Sequence, residues 1–178
     1  MKKELIVYTI SVLLLLFIAS CNVTDGDDGD DPGDTPPSDP EVSAEYQFDV
    51  TISGGGNVVE MSFGQIDGAS NSFDPDLDLE APPAPPEDII HAWFVNDGKN
   101  LFKDYRDPET EEVIWQFNFE PAGNEQITIE WTGDIEELPG NIAITNSEGS
   151  VSVDLEEENS IELSINQLEG LQVEFVVN

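Results

Sequence analysis

The chain has 178 residues, with 39 acidic against five basic side chains and a formal charge of −34. So negative a chain excludes nucleic acid as a partner, because phosphate backbones are repelled. One cysteine and one histidine also exclude an intramolecular disulfide and a His/Cys metal cluster.

In chain order, Lys2 and Lys3 come first, and residues 5–18 are then mostly apolar, softened only by Tyr8, Thr9 and Ser11. That is the charged-then-apolar layout of a secretory signal. The apolar run falls short of the roughly 20 residues a spanning helix needs. Ile18-Ala19-Ser20-Cys21 follows. This motif resembles a bacterial lipobox. The resemblance implies removal of residues 1–20 as a lipoprotein signal peptide, diacylation of the Cys21 thiol, and a membrane partner engaged through lipid. Two or three acyl chains anchor stably where one does not.

Residues 22–42 carry eight carboxylates, no positive charge and no aromatic. Such a segment cannot bury enough apolar surface to offset chain entropy, so it is expected to be a disordered acidic tether following the lipidated cysteine. Its 21 residues reach about 25 Å as a coil and about 70 Å stretched. Acidic residues soon after a lipidated cysteine resemble surface-export signals of some Gram-negative lipoproteins. The expected location is therefore the cell envelope, at the outer membrane and exposed on the surface. The mature chain keeps Lys99, Lys103 and Arg106 as its only basic side chains. Anionic lipid repels such a chain, which leaves the acyl groups as the membrane contact. The reading favoured for the charge is solubility at high external salt.

Residues 43–178 form the expected folded domain. Their dominant period is two. Tyr46, Phe48, Val50 and Ile52 alternate with polar residues, and so do Val59, Met61 and Phe63. Residues 89–95 are almost continuously apolar, as in a central strand covered on both faces. Leu101-Phe102 reads as the start of a short edge strand. Val113, Trp115, Phe117 and Phe119 alternate next. The series continues with Ile127-Ile129-Trp131, Ile142-Ile144, Val151-Val153-Leu155, Ile161-Leu163-Ile165 and Leu171-Val173-Phe175-Val177. Short strands punctuated by Gly, Pro and Asn predict an all-β antiparallel sandwich. No secretion tail is expected after the last strand.

The loop over residues 65–87 is long enough to be functional. It places Asp74, Asp76, Asp78 and Glu80 at alternate positions, followed by Pro82-Pro83-Ala84-Pro85-Pro86. In an extended segment those four carboxylates share one side and could converge on calcium; as a solvated acidic face they would lie opposite Leu77 and Leu79, packed on the sandwich. An EF-hand does not fit, since Leu79 stands where Gly is needed and Pro85 where a bidentate Glu is needed. The alternative is a solvated acidic face with no cofactor. The proline run reads as a stiff polyproline II strap.

Phe63-Gly64, Asp67-Gly68, Phe73-Asp74 through Leu79, and Pro82-Pro83-x-Pro85-Pro86 precede an apolar aromatic strand. Trp115, Ile127-Thr128-Ile129-Glu130-Trp131 and Leu138-Pro139 come later. Together they resemble an immunoglobulin-like β-sandwich module of Gram-negative secreted and surface proteins. The resemblance implies an extracellular accessory module with no assigned chemistry.

No Ser, Cys or His grouping points to nucleophilic catalysis. His91 sits in an apolar strand and reads as a packed residue with one hydrogen bond. Trp115 and Trp131 fall in phase with core positions, whereas Trp93 can face either way. The function expected is a non-catalytic surface lipoprotein that is structural or binds protein or polysaccharide. The alternative is a carbohydrate- or calcium-binding lipoprotein accessory to a secretion or degradation system.

Overall fold

The computed structural model describes residues 45–86, 88–123, 126–133 and 138–178. Cys21, the signal segment and the acidic tether lie outside the described residues. The described chain is all-β. Its strands are β1 (Tyr46–Gly54), β2 (Asn57–Gln65), β3 (Leu79–Glu80), β4 (His91–Asn96), β5 (Lys99–Arg106), β6 (Glu112–Glu120), β7 (Gln126–Gly133), β8 (Gly140–Thr145), β9 (Ser152–Asp154), β10 (Ser160–Ser164) and β11 (Gln172–Val177). A single 3-10 turn, Ile165–Gln167, separates β10 from β11.

Hydrogen bonding runs without a break through one sheet, in the order β10-β7-β1-β2-β5-β4-β6-β11-β8-β9, with β3 added beside β5. All pairs are antiparallel except β2 with β5, which is parallel. The two edges, β9 and β10, are consecutive in the chain, and the connection between them packs against β7. There the Trp131 indole donates to the Leu155 carbonyl at 3.1 Å, and the Trp131 amide donates to the Asn159 carbonyl. The sheet is thus nearly closed on itself.

Period-two patterning explains the strands. In β1 the buried residues are Tyr46, Phe48, Val50 and Ile52, each separated by a polar neighbour. Aromatic rings join strands that are not paired: Phe63 of β2 packs on Trp115 of β6 at 4.9 Å, and Tyr46 of β1 packs on Phe175 of β11 at 5.1 Å. Between the neighbouring strands β1 and β2, Phe48 stacks on Phe63 at 5.2 Å. Trp115 and Trp131 are core residues, as their phase predicts. Two hairpins are set by turn chemistry. Gly55 and Gly56 join β1 to β2, and Asp97 and Gly98 join β4 to β5, all four with positive φ as a two-residue turn of this kind requires.

The edge-strand reading of Leu101-Phe102 is corrected. β5 spans eight residues and lies inside the sheet, between β2 and β4. It reads as an edge because its buried positions include Asp104 and Arg106, residue types that interior strands rarely bury. Their mutual pairing makes that burial tolerable.

Candidate functional site

The long acidic loop does not run extended. The amides of Leu77 and Asp78 both donate to the Asp74 carbonyl, closing a tight turn. The turn sends the carboxylates in different directions. Asp78 is buried, and its Oδ1 accepts the Tyr105 amide of β5 while its Oδ2 accepts the Asp74 amide, each at 2.8 Å. Asp74 Oδ2 accepts the Ser70 amide at 2.6 Å. Glu80 pairs with Lys99 at 2.5 Å, and the Lys99 ammonium also lies over the Phe73 ring. Asp76 is exposed. The expected shared face of Asp74, Asp76, Asp78 and Glu80 is therefore not formed. Among the described residues, no group of three or more His, Cys, Asp or Glu side chains is placed to hold a metal ion. The expected packing of Leu79 is also reversed: Leu79 is 50% exposed and Asp78 is the residue that turns inward.

Beneath the loop lies a buried polar cluster. Asp104 is fully buried and pairs with Arg106 through Nη2 and Oδ2 at 2.8 Å. Asn96 Nδ2 also donates to Asp104, at 3.3 Å, and the Trp115 indole donates to the Asp104 carbonyl at 3.0 Å. Arg106 Nη1 then reaches out to the Asn71 carbonyl of the loop at 2.8 Å. Burial pushes the Asp104 carboxyl up to about 6, and the adjacent Arg106 guanidinium only partly offsets this. Burial also raises the Asp78 carboxyl, against the two backbone amides that favour its charged form. Two carboxylates thus face one guanidinium in a solvent-poor site. Asp78, Asn71 and Lys99 together fasten the loop to β5.

A second feature lies on the outer face of β4 and β5. His91 is buried between Trp93, at 4.9 Å, and Phe102, at 5.8 Å. The sequence predicts a packed histidine with one hydrogen bond. The packing is present, but among the described residues neither Nδ1 nor Nε2 has a hydrogen-bond partner. An unsatisfied buried polar group costs on the order of 1–3 kcal/mol. His91 lines a cleft of about 500 Å³ whose other walls include Val58, Pro82, Pro85, Ile89 and Phe102. The proline run forms one side of it. Trp93 is half-buried on the same outer face. No protein family, curated protein or solved structure matches the chain.

Proposed function

We propose that this chain is a non-catalytic lipoprotein of the bacterial cell envelope. Cys21 carries the lipid, residues 22–42 are the tether, and the β-domain is displayed at the outer-membrane surface to a protein or polysaccharide partner. One sequence feature carries the anchor, the lipobox-like Ile18-Ala19-Ser20-Cys21 at the end of a signal-length apolar run. The domain's geometry supports a non-catalytic role, because Asp78 and Arg106 are engaged in fastening the acidic loop to β5 and Asp104 in pairing with Arg106. We further read the curved sheet as an immunoglobulin-like sandwich. Support comes from its two facing walls, one carrying Phe48 and Phe63 and the other Trp115 and Phe175.

Fractionation of a Gram-negative host expressing the chain tests this reading. The wild type is expected in the outer membrane and open to protease on intact cells. Cys21→Ser is expected as a soluble folded protein or an uncleaved precursor. Tight membrane binding of a Cys21→Ser chain that has lost its signal contradicts the anchor.

A further inference from the structure

We propose that Asp78 and Asp104, facing the single guanidinium of Arg106, form a proton-operated latch on the loop between β2 and β3, shut in acid and released toward neutral pH. The latch and its test are independent of the anchor.

The geometry leaves one carboxylate without a counter-charge. Arg106 Nη2 is taken by Asp104, and Nη1 by the Asn71 carbonyl. Asp78 accepts two backbone amides, those of Tyr105 and Asp74, and among the described residues it forms no ion pair. Both carboxylates are buried, Asp104 completely. A buried charge with no partner is costly.

No neighbouring element restores the balance. Asp104 faces Arg106 on its own strand, Asp78 from the loop and the neutral Asn96 amide from β4, and its register partner on β2 is Phe63. From β6, the Trp115 indole donates to the Asp104 carbonyl rather than to its carboxylate. Asp78 faces Arg106 and a further carboxylate, Asp74.

Two events relieve the excess charge. Asp104 takes up a proton, or Asp78 withdraws with the loop that carries it. The proton has a place to sit: the Asn96 amide lies 3.3 Å from Asp104 Oδ1, and by turning over it presents its oxygen as an acceptor. Asp104 itself cannot withdraw, because β5 lies inside the sheet between β2 and β4. Asp78 can, because its own hold on β5 is the bond to the Tyr105 amide. Either event makes the other unnecessary, and this couples the proton to the loop. In the shut form the Asp104 carboxyl is pushed up to about 6, whereas a carboxyl released toward water ionises near 3.9. The shut form therefore holds the extra proton between those values, and each pH unit gained there favours opening about tenfold.

Opening frees the Tyr105 amide, so its hydrogen exchange reports the latch. The Phe117 amide, bonded to the Leu171 carbonyl, reports the core. The full chain in lipid nanodiscs is followed near pH 4.5 and near pH 7 in molar salt, which screens the surface acids, with each rate corrected for intrinsic exchange. Tyr105 protection is expected to fall at least about tenfold from the lower pH to the higher and to stay below that of Phe117 at both. Asp104→Asn is expected to keep the protection of the acid form at both. The proposal is overturned if Tyr105 protection does not change with pH. It is also overturned if Tyr105 and Phe117 exchange together, since the loop then has no opening of its own, or if Asp104→Asn shows the wild-type fall. The first two outcomes are read on the wild type alone and stand even if the variant does not fold.

Discussion

Asp78 accepts the backbone amide of Tyr105 at 2.8 Å, across 27 residues of chain. That bond makes an acidic residue the anchor of the long loop, and it leaves the neighbouring Leu79 half in water. A carboxylate accepting two backbone amides is worth more here than one leucine side chain. Charge-assisted hydrogen bonds are roughly twice as strong as neutral ones, and the Tyr105 amide would otherwise be buried without a partner.

Asp78→Ala is therefore expected to destabilise the domain by about 2–4 kcal/mol, because it leaves two backbone donors unsatisfied. Leu79→Ala is expected to change stability by less than about 0.5 kcal/mol, as exposed positions do. Urea unfolding of the two variants checks this order. The opposite order would mean that the loop is held by its leucine.

Asp104 makes stability depend on pH in an unusual direction. Its folded carboxyl is raised to about 6, above the value near 3.9 of an unfolded aspartate. The folded state therefore binds the extra proton, and Asp104 favours folding most at low pH. That contribution is lost as pH rises from about 4 to about 6, and on the order of 3 kcal/mol is involved. Urea unfolding in high salt, which screens the surface acids, is expected to show greater stability near pH 4.5 than near pH 7. Asp104→Asn is expected to flatten that difference. A carboxyl resonance of Asp104 titrating near 4 would contradict the assignment.

The ion pair within β5 and the one between β5 and the loop differ in weight. Arg106→Met leaves Asp104 buried without its counter-charge and frees the Asn71 carbonyl. The expected loss is about 3–5 kcal/mol, the usual result of breaking a buried pair from one side. Lys99→Met removes a pair whose side chains are 37% and 59% exposed. That change is expected to cost at most about 1 kcal/mol. Thermal melts of both variants separate the two.

The strands legible in the sequence are those whose inward positions are apolar. In β1, β6, β7 and β11 the alternation of large apolar residues matches the buried face. β5 was hidden because Asp104 and Arg106 occupy two of its buried positions, and their mutual pairing cannot be read from a period-two pattern. The Asp97-Gly98 turn that pins β5 to β4 is a strong hairpin signal, and it would have revealed the strand. For the loop, alternate carboxylates give one face only if the backbone is extended. Asp74 instead closes a turn, and the Tyr105 amide draws Asp78 inward. The cleft was not legible at all. His91 can be seen as a lone histidine in an apolar strand, but Val58, Pro82, Pro85 and Phe102 come from separate segments that only the fold assembles.

The anchor is the central claim, and mass spectrometry of the chain extracted from host membranes tests it most directly. The account predicts that the mature chain begins at Cys21 and that this residue carries diacylglycerol, with its amine free or acylated. A chain that retains residues 1–20, or one that begins at an unmodified residue, would contradict it.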